Sequence, residues 1–320
     1  MTDTDCGKVI APGVIQIDTL LGGWQQVTAG YLIQGPAPVL VETGSQTSVA
    51  TLLTALGKLG VGADDLAGVA VTHIHLDHAG GVGDVAQAFR KATVYVHQQG
   101  ARHLVDPTRL VTSAHMVYGH LLDSLYGRLL PTPPDRVHVL EDEEEIAIGN
   151  GRSLKAIYSP GHAKHHMALY DSASGLLFVG DAVGVRLPDI GILRPATPPP
   201  DFDLDLALGS LKRFSRWQPY RLALAHYGLV DIDPQILLEE AESTLQKWAD
   251  VATKAWNQGG DIEQALAKEF TVTLNQPNKL DPAQLKRLET LSGIHSNAAG
   301  FARWLRHRSD SPPPSADELA

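Results

Sequence analysis

The stretch VTHIHLDHAGG, residues 71–81, decides how this chain is read. An apolar run, Gly68-Val69-Ala70-Val71, has the character of a buried strand, and it delivers His73, His75, Asp77 and His78 within six positions before the chain turns at Gly80-Gly81. Imidazoles at alternate positions leave a strand end on the same side, so His73 and His75 can share one metal ion. Asp77 and His78 then face a neighbouring position. A second cation there would lie at about 3.5–4 Å from the first, the usual separation in two-metal hydrolytic sites.

Such a site needs further ligands, and three later segments repeat the pattern of strand, exposed donor and small residue. In SPGHAKHH (159–166), Pro160-Gly161 turns the chain after the apolar run from Leu154 and presents His162. LLFVGDAV (176–183) places Asp181 after a strand, and LALAHYG (222–228) does the same for His226. Of the two histidines that follow His162, His165 is the expected supporting residue beside the metals.

Around these motifs the chain alternates strand and helix patterns. Short strands are expected at Val14–Ile17, Gly30–Ile33, Val39–Glu42, Gly68–Val71, Thr93–Val96, Val137–Leu140, Leu154–Ile157, Met167–Tyr170, Leu176–Val179 and Leu222–Ala225. Helices are expected at Thr47–Leu59 and Val82–Phe89, giving a strand-rich α/β arrangement with helices covering sheets. Residues 101–135 form an insertion near the pocket, carrying His103, His115, Tyr118 and His120, with helix expected from Ser113 to Leu130. His115 and Tyr118 are candidate pocket residues, weighed against an ordinary amphipathic helix. The proline-rich RPATPPPD (194–201) reads as a stiff loop. From Asp233 the pattern turns helical to residue 308, with breaks expected at Gly293 and Gly300, and residues 309–320 read as a disordered tail. The expected division is therefore a catalytic unit over 1–232, a helical C-terminal extension over 233–308, and the tail.

The composition bounds the chemistry. A formal charge of −10 speaks against a nucleic-acid or anionic-membrane surface, leaving a small-molecule substrate as the expected partner. Cys6 is the only cysteine, so any metal must be held by histidine and carboxylate, and no intrachain disulfide is available. The acidic N-terminus and the lack of a long apolar run lead to the expectation of a cytoplasmic protein. Trp248, Trp256 and Trp304 in the helical region suggest a homodimer that buries them.

Taken together, these motifs resemble the metallo-β-lactamase superfamily, and within it the glyoxalase II branch more than the lactamases. The resemblance spans roughly residues 10–230 and includes VLVETG (39–44), where the family usually has Asp at the position of Glu42. It implies an αββα four-layer sandwich. It also implies that His73, His75 and His162 bind a first metal, that Asp77, His78 and His226 bind a second, and that Asp181 bridges them. Two divalent cations are expected, zinc first, with iron or manganese compatible with the same donors. The implied reaction is hydrolysis of a small ester-like substrate (thioester, lactone or phosphoester) by a metal-bridging hydroxide. Asp77 and Asp181 are the catalytic carboxylates, as ligands and water orienters rather than general bases. Two alternatives stand beside it: a mononuclear iron oxygenase like the persulfide dioxygenases, and a metal-binding protein without turnover. Di-iron oxygen-reducing relatives normally carry Glu where this chain has His75, which favours hydrolysis.

Overall fold

The computed structural model describes residues 3–4, 6–119, 121–274 and 280–310; His120 and the tail 311–320 lie outside them. Two sheets face each other. The first holds β1 (Asp3–Thr4), β2 (Gly7–Ala11), β3 (Val14–Asp18), β4 (Ala29–Ile33), β5 (Val39–Val41), β6 (Gly68–Ala70), β7 (Thr93–His97) and β8 (Val137–Leu140), side by side in chain order. Pairing is antiparallel as far as β5 and parallel from β5 to β8. The second holds β9 (Glu145–Gly149), β10 (Arg152–Tyr158), β11 (Met167–Asp171), β12 (Leu176–Gly180), β13 (Arg221–Leu224) and β14 (Gly228–Leu229), in the order β14-β13-β12-β11-β10-β9.

Period-two alternation sorts each strand's side chains between two cores. Tyr31, Ile33, Val39 and Val41 meet Leu176, Phe178 and Ala223 between the sheets. Their neighbours Leu32 and Leu40 point the other way, into a core closed by α1 (Val49–Lys58) and α3 (Val82–Ala88). On the far side Leu177 and Val179 pack against α6 (Leu204–Trp217) and α7 (Pro234–Asn257). The result is the expected helix-sheet-sheet-helix sandwich. Tyr31 also ties the sheets by donating its hydroxyl to Leu224 O at 2.5 Å.

α6 was not anticipated, although Leu204, Ala207, Leu211 and Phe214 recur at helical spacing and Asp203 caps it by accepting from Leu206 N. β2, β9 and β14 were likewise unanticipated. The insertion differs more. It forms α4 (Gln98–Val105) and α5 (Thr108–Tyr118), the latter starting before the expected Ser113 and stopping at Gly119, whose φ of 53° and ψ of −128° no helix continues. A π-helical turn, Leu122–Tyr126, follows.

The helical region continues with α8 (Ile262–Leu274), α9 (Pro282–Leu291) and α10 (Ile294–Asp310). The break at Gly293 is present. The one expected at Gly300 is absent: α10 runs through it, because the helix passes so close to the proline loop that a Cβ there would lie 1.7 Å from Thr197 O. Three side chains along these helices hold the loop. Glu289 accepts from Arg194 Nη1 (2.7 Å), Ser292 Oγ donates to Pro195 O (2.6 Å), and Asn297 Oδ1 accepts from Thr197 N and Oγ1 (2.7 and 2.8 Å). α10 also reaches Asp310, past the expected start of the tail. Trp248 and Trp304 are buried within the chain beside Phe301 and Leu245, and Trp256 packs against the same cluster. Among the described residues no helix is long and apolar enough to cross a membrane.

Candidate metal centre

The loops that carry the candidate ligands converge at one end of the two sheets. After β6 the chain passes through Val71 and Thr72 to His73, and His75 stands at the N-terminus of α2 (Leu76–Ala79), a single turn carrying Asp77 and His78. That turn is held from outside by Thr43, whose N–H and hydroxyl both donate to His78 O (2.9 and 2.8 Å). Gly80 lets the end of the turn press on the preceding loop: a Cβ there would come within 2.9 Å of Gln46 N. His162 follows β10, Asp181 follows β12, and His226 follows β13.

Seven predicted ligands meet there. His73, His75 and His162 form one group, Asp77, His78 and His226 another, and His73, His78 and Asp181 a third that joins them; within each group the donor atoms lie within 4.8 Å of one another. Asp181 stands between the sides. Its Oδ2 is 3.6 Å from His162 Nε2, while its Oδ1 is 3.4 Å from His78 Nε2 and 3.5 Å from His226 Nε2. Asp77 Oδ2 lies 3.3 Å from His226 Nε2, and His75 Nδ1 lies 3.0 Å from His162 Nε2.

The outer nitrogens of these rings are committed, and that decides which nitrogen faces inward. His162 Nδ1 donates to Ala196 O and His226 Nδ1 to Val27 O, both at 2.9 Å; His73 Nδ1 pairs with Thr72 Oγ1 at 3.0 Å. His78 Nδ1 faces Glu42 Oε2 at 3.4 Å, while Glu42 Oε1 accepts from Thr72 N at 3.0 Å. Glu42 is buried with φ of +64°, a left-handed conformation uncommon for a non-glycine residue. Its one extra methylene relative to Asp still leaves a carboxylate behind the His78 imidazole. The donor set fits metal ions on a further count: His73 Nε2, His78 Nε2, His226 Nε2 and Asp181 Oδ1 are buried with no hydrogen-bond partner, and all are aimed at the same space.

Electrostatics divides the centre in two. Burial lowers the pKa of His73, His75 and His162, that of His75 to about 4, so this side presents neutral imidazoles ready to bind metal. On the other side burial is outweighed by the carboxylates: Asp181 and Asp77 raise His78 well above its usual value, and Asp181 with the neighbouring Asp77 raises His226. Burial opposes ionisation of Asp77 and Asp181 as well, but His78 and His226 pull both below the usual range. Protonation is favoured on that side, where a second cation's charge would stand.

Other expected residues are placed differently. His165 is buried, accepts from Ile74 N through Nδ1 at 3.4 Å, and stacks 6.2 Å from the His73 ring. His166, ranked below it from the sequence, has the more direct part: its Nε2 accepts from Asp181 N (3.2 Å), so its Nδ1 donates to Ser159 Oγ (2.9 Å). Gly180 (φ +51°) makes room, since a Cβ would lie 2.6 Å from His166 Nε2. Nothing in the His165-His166 pair distinguishes the two before the strands are paired. His115 is exposed on α5 and belongs to none of the ligand groups. Tyr118 lies within electrostatic reach of Asp77 and Asp181, beside Tyr126, which no sequence pattern singled out. Behind His162 and Asp181 the fold closes on a cavity of about 20 Å³, lined by Val183, Leu193, Phe202 and Leu211 among others, with room for a water and not a substrate.

Comparison with known proteins agrees with this fold. The model of the metallo-beta-lactamase superfamily matches residues 22–226. A metallo-β-lactamase fold-containing protein of the archaeon Sulfurisphaera tokodaii is 32% identical over 239 residues, 74% of this chain and 84% of that protein. The crystal structure described as the first of an archaeal metallo-β-lactamase superfamily protein, from Sulfolobus tokodaii, superposes with a TM-score of 0.66 at 27% identity, covering 91% of this chain and 98% of its own. A Synechococcus hydroxyacylglutathione hydrolase is 27% identical over 48% of each chain, and a chicken acyl-coenzyme A thioesterase is 32% identical over 48% of this chain and 56% of its own.

Proposed function

The chain belongs to the metallo-β-lactamase superfamily of metal-dependent hydrolases, and from that premise we propose that it holds two divalent cations, zinc first, and hydrolyses an acyl thioester to a carboxylic acid and a thiol. The observation that carries the two-metal reading is Asp181, whose two carboxylate oxygens face different groups of imidazoles. The thioester is favoured over a lactone or phosphoester because a hydroxyacylglutathione hydrolase and an acyl-coenzyme A thioesterase are both among the relatives, each sharing about half its length with this chain.

In this reading His73, His75 and His162 hold one cation, Asp77, His78 and His226 the other, and Asp181 both. When bound, the cations supply an acidified water and polarise the substrate carbonyl. The protein's part is to keep every ligand in its binding tautomer. Thr72, Ala196 and Val27 occupy the outer nitrogens of His73, His162 and His226, Glu42 faces that of His78, and His166 fixes the backbone from which Asp181 projects. Asp77, held against His226, orients rather than removes a proton.

The test is elemental analysis of protein purified without added metal and again after zinc saturation, together with release of free thiol from hydroxyacyl-glutathione and acyl-coenzyme A thioesters. Two metals per chain and thiol release are expected. A single iron at saturation, with no thioester cleaved, would overturn the reading in favour of an oxygenase.

A further inference from the structure

Resting on the reading of His226 as a ligand of the second metal, we infer that Asp18 is a positioning residue for that metal: its carboxylate folds the loop between β3 and β4 so that the Val27 carbonyl meets the His226 ring. Asp18 belongs to none of the ligand groups, so it acts through the loop alone. The backbone of that loop needs such a clamp. Leu20 and Gln26, neither of them glycine, both stand at φ 56°, in the left-handed region that side chains disfavour, and Gly22 and Gly23 between them share it at 62° and 78°. Asp18, the last residue of β3, bonds to both non-glycine positions: Oδ1 accepts from Leu20 N at 3.1 Å and Oδ2 from Gln26 N at 2.7 Å. One carboxylate thus joins the two ends of the loop, and an ionised acceptor holds a backbone N–H more strongly than a neutral one.

What the clamp presents is a carbonyl. Val27 is buried, and its oxygen accepts from His226 Nδ1 at 2.9 Å. Both neighbours of Val27 are fixed: Gln26 by Asp18, and Thr28 by Thr19, whose N–H and hydroxyl donate to Thr28 O at 3.0 and 3.1 Å. The next residue, Ala29, donates its N–H to Ala225 O at 2.9 Å and so ties the exit of the loop to the residue before His226. Residues 26–29 therefore grip His226 twice, once through the chain beside it and once at the outer ring nitrogen. Its Nε2 is left facing Asp77 and Asp181, at 3.3 and 3.5 Å.

The supports of Val27 are unequal in kind. Ala29 lies in the ladder of β4 with β3, whereas Gln26 is exposed and beyond the sheet, where the Asp18 carboxylate reaches it. Without that carboxylate Val27 is held from one side only, and its carbonyl is free to turn away from the ring. The two halves of the centre feel this differently. His162 takes its bond from Ala196 on the proline loop, which has separate anchors in Ser292 and Asn297. A loss confined to the second metal is thus the mark of positioning, while a loss of general stability touches both.

The experiment uses the full chain as parent, with Asp18→Ala and Asp18→Asn, the latter keeping one acceptor oxygen. Two readouts are taken: zinc affinity at each site by calorimetry, the second site being the one that His226→Ala abolishes, and the Nδ1–H resonance of His226 in isotope-labelled, metal-free protein. Asp18→Ala should leave the first zinc at parental affinity and weaken the second about ten- to a hundredfold. Its His226 Nδ1–H, slow to exchange with water in the parent, should exchange too fast to be seen. Asp18→Asn should show a smaller loss of the same kind, and it decides the matter by the same readouts if the alanine variant does not fold. Parental affinity at both sites, equal weakening of both, or a His226 Nδ1–H that exchanges alike in parent and variant would overturn the proposal. A parent chain that binds a single zinc would overturn the two-metal reading instead, and the metal-free resonance then decides the role of Asp18 by itself.

Discussion

Replacing Asp181 by Asn keeps the shape of the side chain and removes the charge on which the two-metal reading depends. The oxygens of Asp181 lie 3.4–3.6 Å from nitrogens on both sides of the centre. At an effective dielectric of about 20, a carboxylate and a dication separated by about 3.5 Å attract by roughly 9 kcal/mol. That is a ceiling, since the amide keeps an oxygen donor and water or hydroxide supplies part of the lost charge. A residual loss on the order of 3 kcal/mol, about a hundredfold in affinity, is expected for at least one metal. The Asn variant should therefore leave gel filtration with one metal or fewer per chain by elemental analysis, bind zinc about a hundredfold more weakly by calorimetry, and lose thioester turnover by orders of magnitude. Its circular dichroism should match the parent, because the Asp181 backbone bond to His166 is unaffected and the sheets are held by apolar faces remote from the charge. Retention of both metals with parental affinity and near-normal turnover would refute the bridging assignment.

His226→Ala should remove the second metal and leave His73, His75 and His162 holding the first, so elemental analysis should fall from two metals to one. Zinc binding at pH 7 should release protons. Asp181 and Asp77 raise the pKa values of His78 and His226, which favours their protonation in the metal-free chain, whereas burial lowers those of His73, His75 and His162. Affinity at the second site should thus weaken as pH falls from 8 to 6 while the first site changes little, and calorimetry in two buffers of different ionisation enthalpy would expose an absence of proton release. Asn297→Ala should leave the buried Thr197 N–H unpaired, destabilise the fold by about 1–3 kcal/mol, and weaken the first metal through the loop whose Ala196 carbonyl orients His162. Urea melts with and without zinc would separate the two effects, and unchanged zinc affinity at the first site would sink that link.

The residue types and spacings in HIHLDH, in the strand-then-donor segments around His162, Asp181 and His226, and in the alternating apolar strands were legible in one dimension, because a strand end with its following loop is a local object and a metal's demand for imidazole and carboxylate is chemical. The same locality explains what escaped. Ala196, Glu42 and Val27 stand behind candidate ligands 34, 36 and 199 positions away, two of them with backbone carbonyls that look alike at every residue. His165 and His166 differ only in which lies behind Asp181 once β10, β11 and β12 are paired. The uninterrupted α10 at Gly300 and the contact between the Tyr118 and Tyr126 rings depend on what another segment brings to them, the proline loop in one case and the π-helical turn in the other. Sequence by itself determined the donors; tertiary structure decided which ring nitrogens are engaged, the lowering of imidazole pKa values on one side and their raising on the other, and most of the neighbours that hold them, since these are set by contacts between residues far apart along the chain.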